Sequence, residues 1–202
     1  MDPIILLDTL RITHLIGLAL GFGVAMLADL YALRSLVVPL KDQDFETLER
    51  MHHAVTVGLV ILSGSGLGLL AVRTGFDPDA FSPKLMMKLA VILFLTANAI
   101  VIGRVALPVM EAYAELRFGE LPTPERARLA CVAGLSFAFW ISALSLGAFS
   151  AMKTMAGDVL LTVIGAIVVL ACTGAAAMAV LSPRIARWAA RRDDWEPLLA
   201  AE

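Results

Sequence analysis

Five long apolar stretches, separated by short polar or turn-forming segments, constrain this 202-residue chain more than any other feature. A helix needs about 20 mostly apolar residues to cross the hydrocarbon core of a bilayer. Hydrophobic residues make up 59% of the chain, and its mean hydropathy is +0.84, both higher than is typical of soluble domains. The sequence therefore predicts an all-α fold, a polytopic transmembrane helical bundle of about five spans with membrane lipid as its solvent.

Proline, glycine and charged residues interrupt the apolar stretches and set the predicted helix bounds. Ser82-Pro83 suits the start of a helix, and Ser182-Pro183 is expected to break or kink the chain. The predicted helices cover residues 12–38, 47–72, 83–108, 126–152 and 158–181. Residues 1–183 thus form one transmembrane domain, and residues 184–202 form a basic, amphipathic cytoplasmic tail that suits an interfacial helix on anionic lipid.

The basic residues are distributed unequally between the two sets of helix ends. With the N-terminus placed outside, most of the 16 Lys and Arg residues fall on the cytoplasmic flanks. Cytoplasmic flanks of membrane proteins are enriched in Lys and Arg. The sequence therefore predicts an outside N-terminus, a cytoplasmic C-terminus and a bacterial-type inner (plasma) membrane. The sequence contains no basic patch of the kind that would indicate a nucleic-acid partner.

Ionisable side chains inside a span are costly, so each one marks a candidate functional site. On the first predicted helix, His14 shares a face with Gly17 and Gly21, a spacing that permits close approach of another helix or of a flat cofactor. Plain helix packing is the alternative explanation for these glycines. On the third predicted helix, Lys84 and Lys88 share a face. The predicted topology places Lys88 and His14 at similar depths near the outer surface, where they could meet.

A second polar cluster is expected near the cytoplasmic surface and comprises Asp29, His52, His53 and Arg104. Asp29 could pair with Arg104 or with one of the histidines, and a structural ion pair with solvated histidines is the alternative. Adjacent helical residues point about 100° apart, so only one of the two histidines can face the bundle. His14 would lie roughly 25 Å from either of them along the membrane normal, so one haem cannot take both as axial ligands.

Several enzyme classes lack their motifs here, including the P-loop, the dinucleotide-binding GxGxxG, HExxH and GxSxG. Three histidines divided between two membrane surfaces are too few for a hydrolytic zinc site. A proton or ion pathway remains open, and its lining would comprise Asp29, His53, Asn98 and Arg104.

Three segments resemble the membrane-bound, oxygen-independent protoporphyrinogen oxidases of the HemJ type and their CopD-like relatives. The first is Thr13–Gly17 on the first helix, and the second is Phe45–Met51 at the entry to the second helix. The third is Lys84–Val91, which opens the third helix, with Gly103-Arg104 closing it. The resemblance extends over roughly residues 11–107.

The resemblance implies a haem- or porphyrin-associated integral membrane redox protein, similar to a protoporphyrinogen oxidase. His14 and Lys88 would be its catalytic pair, and His14 would be the axial ligand of the iron of haem b. Lys88, with Lys84 nearby, would balance tetrapyrrole carboxylates, and Gly17 and Gly21 would leave space for the macrocycle. Electrons would pass to a quinone or another membrane acceptor.

Two alternatives to this redox function stay open. One is a non-enzymatic membrane protein: a small transporter, an accessory subunit of a larger complex, or a homo-oligomer. It predicts no bound chromophore. The other is a metal-handling role, suggested by the CopD kinship and nine Met residues, which are scattered along the chain.

Overall fold

The computed structural model describes the backbone of residues 2–199 and the side chains of residues 2–192. This part of the chain forms six α-helices and no strand. They are α1 (Pro3–Ala32), α2 (Asp42–Thr74), α3 (Pro83–Val101), α4 (Leu107–Ala112), α5 (Thr123–Ala148) and α6 (Gly157–Leu199). A five-residue π-helical segment, Ile102–Ala106, joins α3 to α4, so the two form one continuous span.

Five helical segments are long and apolar enough to cross a membrane, which confirms the predicted all-α, five-span architecture. They are Pro3–Leu36, Asp42–Thr74, Pro83–Ala112, Thr123–Ala148 and Gly157–Arg192. The outside N-terminus and the inner-membrane location stay predictions.

Helix α1 begins at Pro3, well before the expected residue 12. The Asp2 carboxylate accepts a hydrogen bond of 2.9 Å from the Ile4 N–H. Pro3 occupies the first helical position, where the N–H that proline lacks would have no acceptor within the helix. Asp8 and Arg11 are compatible with this longer helix because they form an exposed ion pair of 2.8 Å, one turn apart. The predicted start at residue 12 was wrong because the apolar pattern does not reveal the N-cap at Asp2.

Asp44 organises the connection between α1 and α2. Its carboxylate accepts a 2.8 Å hydrogen bond from the Lys41 N–H, so α2 begins at Asp42 rather than at residue 47 as predicted. The same carboxylate accepts the Tyr31 hydroxyl and lies 3.6 Å from the Arg34 guanidinium. Arg34 is therefore engaged at this turn.

Helix α6 continues through Pro183, where the sequence predicted a break. Proline has no N–H to donate to the carbonyl four residues earlier, which is that of Ala179. The buried Ser182 hydroxyl donates to this carbonyl at 2.9 Å instead. The segment from residue 184 is therefore the end of α6, not a separate tail, and Ala186 and Ala189 on it are buried. Residues 193–202 of the predicted tail lie outside the described side chains.

Helices α1 and α2 pack with their backbones in contact. A Cβ atom added to Gly17 would lie 2.6 Å from the Leu62 nitrogen, and one added to Gly58 would lie 2.5 Å from the Gly21 nitrogen. The buried Trp140 ring of α5 covers Gly21 from the other side. The space that Gly17 and Gly21 were expected to leave for a macrocycle is therefore filled by protein, and the packing alternative is correct.

The core of the bundle lies where α1, α2, α3, α5 and α6 meet. Asn98, expected as a candidate for an ion pathway, is buried in α3 and donates to the Val132 carbonyl of α5 at 3.2 Å. It therefore ties two helices together inside the bundle.

Candidate functional site

His14 projects from α1 onto α2, next to Ser65 and Gly66. Its Nδ1 lies 3.1 Å from the Ser65 hydroxyl oxygen, and that hydroxyl donates its only proton to the Ile61 carbonyl at 2.6 Å. The same hydroxyl also lies 3.1 Å from the Leu62 carbonyl. With its proton directed at either carbonyl, the serine oxygen can accept from Nδ1–H, and in that tautomer the Nε2 lone pair is available for a ligand or a proton.

Lys84 has a structural partner. Its side chain is buried, and Nζ donates a 2.8 Å hydrogen bond to the carbonyl of Phe149, the residue that ends α5. A cation is favourable at the C-terminal end of a helix, where carbonyls lack helical donors. The Lys84 ammonium therefore joins α3 to the end of α5, and its cofactor role stays a prediction.

Lys88 lies near His14 without bonding to it. It is half-buried, and within the described residues its ammonium makes no hydrogen bond or ion pair. It lies within electrostatic range of the His14 ring. The Lys88 ammonium is also within electrostatic range of three further cations: Arg73, Lys84 and Lys153. The pairing of His14 with Lys88 stays a prediction.

The opposite end of the bundle contains a cavity of about 390 Å³. It lies between α1, α2, the π-helical segment with α4, α5 and α6, and its wall is mainly small and aliphatic side chains. Among the residues described around it, only Asp29 and His52 are ionisable. Two members of the predicted second cluster therefore share one cavity, about 20 Å along α2 from Ser65 and His14.

Asp29 has no partner in this cavity. Its carboxylate forms neither a hydrogen bond nor an ion pair with any residue that the structure describes. Arg104 is exposed and does not pair with it, so the pair predicted between them is not formed. His53 is also exposed, and its Nδ1 lies 3.0 Å from the Glu49 carbonyl of its own helix. The second cluster thus reduces to Asp29 and His52.

His52 is held against the π-helical segment. A Cβ atom on Gly103 would lie 2.8 Å from His52 Nε2, so only glycine lets the ring pack this closely. This π-helical turn lies directly before Pro108, which has no N–H to donate to the Arg104 carbonyl. Within the turn, the Leu107 N–H donates to the Ile102 carbonyl, five residues earlier. His52 therefore packs on a π-helical turn that lies directly before a proline.

The cavity is open to its surroundings. Phe137 of α5 and Met178 of α6 both line it, yet they are 43% and 38% exposed. Each lies well inside its membrane-spanning segment. The cavity is therefore not enclosed where α5 and α6 line it.

The sequence analysis grouped Asp29 with His52 but missed the cavity. The available signal was the recurrence of small residues at helical spacing on the helices that line it. They include Ala25, Ala28 and Ala32 on α1, and Ala171, Gly174 and Ala175 on α6. In a membrane protein such a pattern normally indicates helix contact, so it could not by itself reveal an unfilled space.

Comparison with protein-family models, with characterised proteins and with solved structures finds no match to this chain. The resemblance to HemJ-type oxidases therefore stays a prediction from the residues. Within the part of the chain that the structure describes, no three His, Cys, Asp or Glu side chains come together as a metal site.

Proposed function

We propose that this protein is a small membrane carrier that binds an apolar small molecule in the cavity beside Asp29. This is the transporter alternative raised by the sequence. One observation carries it: a carboxylate without a partner among the described residues faces a mainly apolar, incompletely enclosed cavity inside a helical bundle.

The position of Asp29 makes a purely structural role a poor explanation. It lies about 10 Å inside the end of its span at Leu36. An unpaired carboxylate in apolar surroundings is costly, and intramembrane ionisable residues normally pair or serve a function. Asp29 stabilises no contact within the described structure, so a role toward a ligand accounts better for its presence.

The cavity has the properties of a ligand site. Small-molecule sites are typically clefts of about 300–1,000 Å³ lined mostly by apolar groups with a few placed polar ones. The 390 Å³ cavity falls within this range and offers one carboxylate and one imidazole. Its incomplete enclosure suits a solute that partitions into the bilayer.

A photolabelling experiment with a matched pair of glycine variants tests the carrier proposal. Gly174 lines the cavity, whereas Gly165 lies on the same helix away from it, and a Cβ atom at either position meets nothing within 4 Å. An apolar diazirine probe is applied to the protein in lipid nanodiscs, and the labelled residues are mapped by mass spectrometry. We expect labelling of the α5 and α6 walls in the parent protein.

Gly174→Trp should reduce that labelling about tenfold by filling the cavity, which corresponds to about 1.4 kcal/mol of binding free energy. Gly165→Trp should leave the labelling as in the parent. Labelling spread evenly over the lipid-facing surface in all three proteins would refute a binding cavity.

The His14 environment favours a second function, the haem- or tetrapyrrole-associated redox protein. Histidines that ligate metals usually donate their other ring nitrogen to a fixed acceptor, as His14 Nδ1 can to Ser65. The donor chemistry thus suits an axial ligand, and Lys88 could balance a carboxylate. The macrocycle does not fit between α1 and α2, however, because Gly17 and Gly21 are covered, and we derive no reaction step through it.

Absorption spectra of the detergent-purified protein, oxidised and reduced, decide between the two functions. The redox function requires a Soret band that is lost in His14→Ala and kept in His53→Ala, whose imidazole is exposed. A colourless and well-folded parent protein leaves the carrier function in place.

A further inference from the structure

We infer that the occupant of the cavity is an amphiphilic organic cation, and that this cation and a proton bind to Asp29 in exchange for one another. The inference rests on the proposed carrier function and names its substrate class. The substrate would be a small apolar molecule with one positively charged nitrogen.

Charge complementarity requires a cation. The basic residues nearest to Asp29 along the chain and in the predicted cluster are engaged elsewhere or point outward: Arg34 pairs with Asp44, and Arg104 is exposed. Among the described residues that line the cavity, His52 is the one ionisable group besides Asp29, and no Lys or Arg side chain lines it. A neutral ligand would leave the carboxylate unpaired in a drier cavity, and an anion would be repelled.

The cavity wall favours an organic cation over a metal ion. A bare cation such as Na⁺ or Ca²⁺ needs several oxygen ligands, whereas the wall near Asp29 is built from alanine and leucine side chains, including Ala25, Ala32 and Leu33. Apolar walls suit the hydrocarbon part of an amphiphile. The single carboxylate suits its charged nitrogen, which forms a strong ion pair when water is excluded.

Proton exchange follows from the same geometry. The charged carboxylate is stabilised in the cavity only when a cation lies beside it, so the cation and a proton compete for one group. The balanced step is Asp29–COOH plus R₄N⁺ giving the Asp29–COO⁻···R₄N⁺ pair plus one H⁺ released to water. No oxidant or further reactant is needed.

His52 is the other group whose protonation could affect the cavity. It comes from α2, and the described residues that line the cavity from the π-helical segment, α4, α5 and α6 include none that is ionisable. A protonated His52 would repel the ligand, so it would weaken binding at low pH without removing the preference for a cation. Variants of each residue separate the two effects.

The test uses two probes of the same shape in nanodiscs that hold the full chain. Benzyltrimethylammonium carries a permanent charge, and neopentylbenzene replaces its nitrogen by carbon. Because neither probe titrates, any pH dependence of binding belongs to the protein. Affinity and proton release are measured calorimetrically in buffers that differ in ionisation enthalpy.

We expect the cation to bind at least about fourfold more tightly near pH 8.5 than near pH 5.5, and to release up to about one proton when it binds near pH 5.5. The neutral probe should show no gain in affinity at the higher pH, because it leaves the ionised carboxylate unpaired. Asp29→Asn should remove the proton release and the preference for the cation, and this variant should still bind the neutral probe. The His52→Gln variant should still release a proton and should still prefer the cation. Asp8→Asn, an exposed residue of the same helix, is the control and should match the parent.

The outcomes distinguish this inference from the function on which it rests. If the parent binds both probes equally, or if Asp29→Asn keeps cation preference and proton release, the inference is wrong and the cavity still binds apolar molecules. If neither probe binds at any pH and the photoprobe also fails to label the cavity walls, the carrier function itself is wrong.

Discussion

At the scale of single residues, two glycines decide how closely the first two helices approach. Gly17 and Gly58 let the backbones of α1 and α2 touch, so any side chain at either position must push the helices apart. Such overpacking typically costs about 1–3 kcal/mol in a well-packed protein.

The first prediction follows from this contact. Gly17→Ala should lower the free energy of unfolding in detergent by about 1–3 kcal/mol, because its Cβ would lie 2.6 Å from the Leu62 nitrogen. Gly23→Ala on the same helix has open space around it and should stay within about 0.5 kcal/mol of the parent. SDS titration monitored by circular dichroism measures both. Equal stability of the two variants would show that α1 and α2 are not in backbone contact.

Helical faces and depths predicted the candidate residues better than they predicted their partners. His14 and Lys88 were grouped because both lie near the same end of their helices, and their pairing stays a prediction. Asp29 and His52 share a cavity for the same reason. Partner choice depends on small rotations of each helix, and the sequence holds no direct record of them. This is why Lys84 was expected at a cofactor but bonds the end of α5.

At the scale of the helices, a serine hydroxyl repairs the helix at a proline. Ser182 donates to the carbonyl that Pro183 leaves without a donor, and both lie against Gly119. Unsatisfied carbonyls are costly in a bilayer, and neighbouring Ser or Thr hydroxyls are one known way to satisfy them.

The second prediction is a double-mutant cycle at this site. Ser182→Ala should cost about 0.5–1.5 kcal/mol of stability in the parent, because the Ala179 carbonyl then lacks any donor. In a Pro183→Ala background the restored N–H can donate to that carbonyl, so the same serine change should cost less than half as much. Identical costs in both backgrounds would show that the hydroxyl does not substitute for the missing N–H.

The helix bounds show which elements the sequence predicts well. Ser82-Pro83 starts α3 as expected, with the Ser82 hydroxyl accepting from the Leu85 N–H at 3.3 Å. The starts of α1 and α2 were missed because they depend on acidic side chains that accept backbone N–H groups, Asp2 at the N-cap of α1 and Asp44 in the first turn of α2. Caps depend on local hydrogen bonds, whereas hydropathy reports only where the apolar run begins.

At the scale of the whole molecule, the five spans could be predicted because lipid imposes a length on every crossing helix. The cavity could not be predicted, because apolar residues face lipid, core and cavity alike. A transmembrane helix therefore lacks the polar face that would reveal its orientation in a soluble protein. Only three-dimensional packing shows that the small residues of α1 and α6 leave a space between them instead of touching.

The third prediction concerns the orientation of the bundle, which in the proposed exchange would determine the side of the membrane from which Asp29 takes its proton. After both native cysteines are replaced by alanine, a cysteine is introduced at the exposed position 43 or the exposed position 77, on opposite ends of the bundle. The excess of Lys and Arg predicts that Asp77→Cys reacts with an impermeant maleimide in intact cells. Gln43→Cys should react only after permeabilisation.

This result would assign the cavity a direction, because Asp29 lies toward the position 43 end of the bundle. If Gln43→Cys is the cytoplasmic one, the proton on Asp29 exchanges most readily with the cytoplasm, and the amphiphile enters from the adjoining leaflet. If the labelling is reversed, the positive-inside prediction is wrong and both solutes exchange with the outer side. If both cysteines react in intact cells, the chain inserts in two orientations, and the distribution of Lys and Arg is too weak to fix its topology.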